Sequence, residues 1–296
     1  MIYLETRVSR ESVFLIVHYL TEQLISSQCP AGMVADTLSA DIVKALKRVN
    51  DCPRELESAP IFCYSSDMNL FIVATPIGNL EDISARALAI LRSVGVVFAE
   101  DTRVTAKLLT RYDIRVPVHR SDENSSAAEI EKLLDRLATV ESAALTTDAG
   151  TPNLSDPAFR IIAAALARFG TKIKIIPIPG PSALLAAISI AHFPPHPFVF
   201  LGFPPAKKGR SGFFDEITEL SYALVLFESV HRINKTLEEL ARRAGSRECL
   251  VARELTKMHE QVWRGTLAEV VPQVAAGTQK GEYVILIAPK EWLRKS

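Results

Sequence analysis

The chain has 296 residues, 48% of them hydrophobic and 23% charged, enough apolar content for a sizeable core and not the profile of a disordered chain. Thirty-four basic residues balance thirty-four acidic ones, so bulk charge does not single out a nucleic-acid binder. Cys29, Cys52, Cys63 and Cys249 form no CxxC pair, which argues against a disulfide framework or zinc signature. It suits a reducing cytosol.

No apolar run reaches the ~20 residues that a membrane helix needs. The stretch "VFLIVHYL" is interrupted by His18, and acidic residues near the start with no A-x-A site argue against a secretory signal. A cytoplasmic location is expected. Residues 1–68 carry six basic and nine acidic side chains, with helical apolar spacing over roughly 10–26 and 34–49 around a Cys-Pro-Ala-Gly break. They read as a partly helical extension of unknown role.

From residue 69 the chain alternates. Apolar runs at 70–75, 94–100, 142–148 and 171–179 read as buried strands, and helical patterns at 82–94, 128–140 and 156–170 lie between them, the last closed by Gly170. This predicts α/β units around a mostly parallel sheet over 69–179. Strands are then expected at 197–203, 222–229, 248–254, 260–265 and 282–288, with helices near 182–191, 231–243 and 266–276. One short helix separates the last two strands, so 180–289 is expected to hold a mixed sheet, followed by a tail at 290–296. Two α/β domains with a ligand cleft between them is the economical reading.

Several strand ends carry unusual loops. In "ATPIGNLEDISARAL" Pro76 and Gly78 make a turn after the first strand, and Asp82 is positioned to cap the next helix. A loop at the C-terminal end of a first strand is the usual ligand position in open α/β sheets, yet no GxGxxG is present. "FAEDTRVTAKLL" sets Glu100, Asp101 and Arg103 after the second strand, either as proton-handling and orienting groups or as a helix start capped by Asp101 or Thr102. In "LTTDAGTPNLSDP" Asp156 and Pro157 read as an N-cap and first helical residue. Asp148 to Pro152 instead forms a side-chain-poor loop whose glycine lets a ligand approach the backbone.

"IPIPGPSALLAAIS" is a stiff hinge whose Ser182 and Ala183 can line a cleft. "PPAKKGRSGFF" gathers Lys207, Lys208 and Arg210 in an expected loop of the kind that grips phosphates. "FESVHR" and "ARELTKMHEQVWRG" end strands with Glu228, His231, Arg232, Glu254, Thr256 and Lys257. No histidine spacing suits a metal, and none is expected.

In this order, "IVATPIGNLEDISARAL", "AEDTR", "TDAGTPNLSDP", "PIPGPSA", "GFPPAKKGR", "FESVHR", "ARELTK" and "KGEYVILI" resemble the ribosomal small-subunit RNA 2′-O-methyltransferase I group. That group is a branch of the tetrapyrrole-methylase-like, S-adenosylmethionine-dependent enzymes. The resemblance spans roughly 69–289 and leaves 1–68 without a counterpart. It implies two α/β domains, S-adenosyl-L-methionine in the cleft between them, a homodimer, and small-subunit (16S-type) rRNA as partner, methylated on a cytidine ribose 2′-oxygen in the decoding region.

By position, the resemblance places Pro76, Asp148, Ala149, Gly150, Thr151 and Pro152 on the cofactor from one domain. Ser182, Ala183, Phe227, Glu228 and Leu255 face it from the other. An activated methyl donor requires an aligned oxygen and a nearby base. Asp101 and Glu254 are the candidates for base or orienter, with Arg103 and Lys257 for phosphate or the emerging alkoxide. Lys207, Lys208, Arg210 and Arg232 are the candidate RNA contacts.

The chain departs from the group at 121–124, where "SDEN" stands for a His-acid-His-Asn stretch. A histidine contact or proton shuttle there would have to be made differently. "FES" likewise replaces a more usual Tyr-Glu-Ser. Two other functions fit the same features: methylation of a tetrapyrrole or other small molecule, which calls for an apolar macrocycle pocket, and a catalytically silent ribosome-binding factor, which would not bind the cofactor.

Overall fold

A computed structural model of the protein describes residues 68–277 and 280–292; the reading of 1–67 as a partly helical extension, and of the tail's last four residues, lies outside them. Ten strands and eight α-helices form two five-stranded sheets among the described residues. The first holds β1 (Met68–Val73), β2 (Val96–Ala99), β3 (Val118–Arg120), β4 (Ser142–Thr146) and β5 (Ile173–Ile178). Its order is β3-β2-β4-β1-β5, and every pairing is parallel.

The inner strands β1, β2 and β4 are largely apolar on both sides because helices cover both faces. On one face α1 (Ala85–Ser93) and α2 (Thr102–Arg111) bury Ile90, Leu91, Leu108 and Leu109 against Phe71, Val73 and Val97. On the other, α3 (Ala127–Leu137) and α4 (Ala158–Phe169) bury Leu134, Leu137 and Ile161 against Leu70, Phe98 and Leu145. Truncating a side chain such as Leu134, fully buried, would cost about 2–5 kcal/mol.

Local signals set most helix ends. Ser126 and Glu129 close a reciprocal capping box on α3, and Gly170, at φ 56°, ends α4. Two caps differ from expectation. Ser84, not Asp82, caps α1 and accepts from the Ala87 amide at 3.1 Å, because Asp82 lies in a preceding 3-10 turn over Leu80–Asp82. Helix α4 starts at Ala158 with Pro157 before it, and the Asp156 carboxylate takes both the Ala158 amide (2.8 Å) and the Asn153 amide.

The second sheet is mixed, as its residues predict. It contains β6 (Phe198–Phe200), β7 (Ala223–Ser229), β8 (Glu248–Arg253), β9 (Gln261–Thr266) and β10 (Glu282–Ile287) in the order β6-β7-β10-β8-β9, parallel only between β6 and β7. On one face pack α6 (Arg210–Glu219), α7 (Ile233–Ala244) and α8 (Leu267–Ala276), with Phe214, Leu237, Leu240 and Val270 fully buried. The other face is covered by α5 (Ala183–Ser189) through Leu184 and Ala187, and by Ile77 from the loop after β1. That shared cluster joins the two sheets and sets the floor between them.

Two short elements escape the sequence reading: β3, and α6, which begins at Arg210 where a basic loop was expected through 214. No helix among the described residues is long and apolar enough to cross a membrane.

Candidate active site

In an open parallel sheet ligands sit beyond the carboxyl ends of the strands. Here the loops following β1, β4 and β5 meet at that end. Thr75 and Gly150 exchange backbone hydrogen bonds of 2.8 and 3.0 Å, and the Thr75 hydroxyl donates to the Thr147 carbonyl at 3.1 Å. Gly150 has φ 85°, a left-handed conformation that glycine adopts without strain. The Thr151 hydroxyl donates to the Pro181 carbonyl at 3.1 Å, tying this loop to the turn before α5.

The second sheet supplies the opposite wall. Because β10 runs antiparallel to both β7 and β8, its first residues lie beside their last: Glu282 pairs with Ser229, and Tyr283 with Glu228 and Arg253. Beyond β8 the chain turns sharply, with Glu254 at φ 51° and Thr256 at φ 66°. Such backbone strain costs on the order of 1–3 kcal/mol per residue and persists where surrounding contacts hold it. Those contacts are visible. The Asn79 amide donates to the Thr256 hydroxyl at 3.2 Å, and the Thr256 amide donates to Glu260 at 2.7 Å. Gly78 leaves room for the Lys257 stem, which a Cβ there would meet at 2.3 Å.

Between these walls lies a cleft of about 310 Å³. Of the expected cofactor contacts, Asp148, Ala149, Gly150, Thr151, Ser182, Ala183, Phe227, Glu228 and Leu255 line it. Pro76 and Pro152 do not, although Ile77, next to the former, does. Glu254 and Lys257 line it too, whereas Asp101 and Arg103 stand just outside.

Each charged group has a distinct setting. The Asp101 carboxylate caps α2 by accepting from the Arg103 amide at 2.8 Å, and also takes the Arg103 Nε at 3.0 Å. Those Arg103 bonds hold its carboxyl well below the usual carboxylate range. It is therefore a clamp on Arg103, itself 86% exposed, and a poor proton acceptor near neutrality. The Asp101 amide donates to Asp148 Oδ1 at 2.8 Å, while Glu100 accepts from the Thr147 hydroxyl at 2.6 Å. Burial, reinforced by the Glu100 and Asp101 charges, pushes the Asp148 carboxyl up.

Glu254 Oε1 accepts from Lys257 Nζ at 2.8 Å and from the Glu282 amide at 3.0 Å. Burial favours its neutral form, but the Lys257 and Glu282 bonds outweigh that and lower its carboxyl. Burial alone would depress the Lys257 ammonium, and its bonds to Glu254 and Glu282 reverse this. The pair is fully charged at neutral pH.

The expected RNA contacts separate. Lys207 and Lys208 are exposed. Arg210 is only 6% exposed and points inward, its Nη2 donating to the Thr236 hydroxyl at 2.7 Å and its Nη1 to the Pro205 carbonyl at 2.9 Å. Arg232 pairs with Glu228 at 2.8 Å and donates to the Pro204 carbonyl at 2.9 Å. Both arginines therefore brace the basic loop from beneath rather than presenting a free cation, because the buried Glu228 carboxylate draws them in.

Sequence reasoning passed over Phe203, Glu282 and Tyr283, all of which line the cleft. Phe203 is 51% exposed and meets Phe227 edge-on at 5.8 Å. An aromatic set between glycine and proline just past a strand is the signal that marks it. The start of β10 carries no such mark.

A cleft at the carboxyl end of a parallel sheet, walled by a second mixed sheet and lacking a glycine fingerprint, defines an α/β enzyme of the tetrapyrrole-methylase type. The model of the Tetrapyrrole (Corrin/Porphyrin) Methylases matches residues 69–271. Solved structures agree in fold: a cobalt precorrin-4 methyltransferase superposes with a TM-score of 0.56 at 19% identity, over 77% of this chain and 98% of that one. Uroporphyrin-III C-methyltransferase from Thermus thermophilus, complexed with S-adenosylhomocysteine, does so with 0.54 at 19%, over 74% and 96%.

Closer in sequence are two proteins named ribosomal RNA small subunit methyltransferase I. That of Xylella fastidiosa is 45% identical over 75% of this chain and 82% of its own length. That of Thermotoga maritima is 38% identical over 75% and 99%. The chain belongs to the tetrapyrrole methylase family and, within it, to the ribosomal RNA small subunit methyltransferase I branch.

Proposed function

We propose that the protein methylates the 2′-oxygen of a cytidine ribose in the decoding region of small-subunit rRNA, using S-adenosylmethionine. The observation that carries this reading is the set of relatives, 37–45% identical, that bear the small-subunit rRNA methyltransferase name over about three quarters of the chain. The cleft's chemistry suits the cofactor. Carboxylates of Glu100, Asp148 and Glu254 stand among apolar Ile77, Leu255 and Phe227, as a ligand with cationic ammonium and sulfonium groups beside a flat ring requires. Residues 69–179 and 180–289 act as two lobes, and a cytoplasmic homodimer belongs to the same reading, supported by the family resemblance alone.

S-adenosylmethionine supplies, when bound, a methyl group already activated on sulfur. The remaining tasks are to hold the ribose hydroxyl in line, keep water out and receive a proton. The 147–151 loop and Ser182 form one side of the seat, and Phe227, Leu255 and the Glu254–Lys257 pair form the other. Asp148 is the carboxylate best suited to take the hydroxyl proton, since it lines the cleft with raised proton affinity. Glu254 holds the Lys257 ammonium toward the developing alkoxide. Asp101 positions Arg103, whose exposed guanidinium meets an RNA phosphate, and Lys207 and Lys208 do the same on the braced loop across the cleft.

Labelled methyl groups should pass from S-adenosylmethionine to isolated small subunits and map to one cytidine 2′-oxygen. Label that appears only on a tetrapyrrole acceptor would refute the reading, as would cofactor binding with no transfer to subunits. The proton assignment has its own check. Asp101→Asn removes a negative charge that raises the Asp148 carboxyl and leaves Arg103, which lowers it. The acidic limb of the kcat–pH profile should therefore move to lower pH, and an unmoved limb removes Asp148 from the role.

A further inference from the structure

A second cleft, of about 370 Å³, opens where β3 ends and α3 begins, lined by His119, Arg120, Asp122, Asn124, Lys132 and Arg136. Its carboxylates are already engaged. Asp122 accepts from the Ser125 hydroxyl and the Asn124 amide, each at 3.1 Å, and pairs with Arg120. Glu129, which also lines the cleft, accepts from the Ser126 amide and hydroxyl at 2.7 and 2.8 Å in the cap of α3.

The acidic flank of α3 is engaged as well, since Arg168 of α4 pairs with Glu131 at 3.0 Å and Asp135 at 2.6 Å. Lys132 and Arg136 remain, exposed and one helical turn apart. The Lys132 charge acts on Glu129, but among the described residues neither side chain donates a hydrogen bond to a carboxylate as Arg120 and Arg168 do. Like charges at this spacing cost an isolated helix a few tenths of a kcal/mol, ~0.2–0.5. An anion seated between them reverses that sign.

Other groups in the cleft complement such an anion. The Asn124 side-chain carboxamide carries N–H donors, and His119 is held below its usual titration range by burial and the nearby Arg136, a neutral hydrogen-bonding ring. The cleft adjoins the strand that leads to Asp101, since Ala99 at the end of β2 is in register with Arg120 at the end of β3. Arg103 and Arg120 both act on the Asp101 carboxylate, and the Asp101 amide is bonded to cleft-lining Asp148. Arg103, paired with Asp101, and Arg120, paired with Asp122, thus stand at the ends of adjacent strands, and Arg120 shares the second cleft with Lys132 and Arg136.

We infer that this second cleft is a seat for backbone phosphates of the RNA substrate flanking the methylated nucleotide, with Lys132 and Arg136 as its cationic contacts. The inference rests on the RNA reading above. Its test is a Lys132→Gln/Arg136→Gln double variant of the full chain, with an rRNA fragment bound at several salt concentrations and methyl transfer to small subunits assayed in parallel.

Removing two phosphate-binding cations should make the slope of log K against log[salt] shallower by about 1.4–1.8. The KM for subunits should rise about tenfold or more, while kcat and the cofactor Kd, measured by calorimetry, stay as in the wild type. A charge-retaining Lys132→Arg/Arg136→Lys variant should keep the wild-type slope, which separates charge from folding. A double variant with unchanged slope and KM overturns the inference. Should the wild-type protein transfer no methyl to subunits, the function proposed above fails, and the salt slope still decides this one.

Discussion

Glu228→Ala is expected to be among the most destabilising single changes in the protein, lowering stability by about 3–5 kcal/mol, as removing one partner of a buried ion pair does. Glu228 is 1% exposed. Its Oε1 takes the Ser229 amide at 2.8 Å and the Arg232 guanidinium at 2.8 Å, and its Oε2 takes the Thr236 hydroxyl at 2.6 Å. Thr236 in turn accepts from Arg210, so one carboxylate satisfies two arginines. Without it Arg210 keeps a full charge in the core, stacked on Phe214 at 4.8 Å, with no anion to balance it.

The melting temperature should fall on the order of 10 °C for a chain of this size. Thr236→Val, which breaks only the bridging hydroxyl, should cost less, about 1–3 kcal/mol. A Glu228→Ala protein that melts within two or three degrees of the wild type would show that the arginines find other partners. Because Arg210 and Arg232 hold the Pro205 and Pro204 carbonyls, the Lys207–Lys208 loop should also become susceptible to proteolysis in this variant.

Gly281→Ala is expected to lower kcat/KM by about 10²-fold, the scale of an ångström-sized misplacement in an active site. A Cβ at residue 281 would lie 2.4 Å from Glu254 Cγ, 2.5 Å from its Cδ and 2.6 Å from its Oε1, and φ there is 96°. The Glu254 carboxylate must therefore leave the Lys257 ammonium and the Glu282 amide. The backbone strain adds a stability loss of about 1 kcal/mol or more.

The first-sheet wall, with Asp148 and Gly150, is untouched, so calorimetry should still detect cofactor binding. Adding Glu254→Ala to Gly281→Ala removes most of the clash and should recover stability without recovering turnover. Wild-type turnover in Gly281→Ala would mean that Glu254 has no part in the reaction.

Much of this was legible in the residues. Buried parallel strands are apolar along most of their length, so β1, β2 and β4 announce themselves. β5 shows as a run of isoleucines despite exposed Lys174 and Pro177, and the loops after these strands stand out by their glycine, proline and acidic residues. β3 has only three residues, none of them buried, and an edge strand of sequence Val-His-Arg carries no apolar run. The start of α6 looked like a loop because Gly209 and Gly212 flank a polar sequence.

Charge misled where burial decides. Arg210 and Arg232 read as surface cations until the Glu228 carboxylate is placed between them. In 121–124, Asp122 and Asn124 line the second cleft while Ser121 and Glu123 do not, a division that spacing alone does not reveal. The contribution of Glu282 and Tyr283 follows from the antiparallel course of β10, a pairing fixed by tertiary contacts rather than by local pattern.

The position of β1 has a consequence for synthesis. β1 leads the described fold yet lies between β4 and β5, with Asn69 in register with Ser142 and Met68 with Ile173. A ribosome delivers the chain from its N-terminus, so β1 emerges long before either neighbour exists. Until Thr146 is free, both of its edges offer unpaired amides and carbonyls on an apolar strand, the configuration most apt to join another chain, and until Ile178 is free one edge still does. Nascent chains halted between residues 73 and 142 should be those most dependent on chaperone protection.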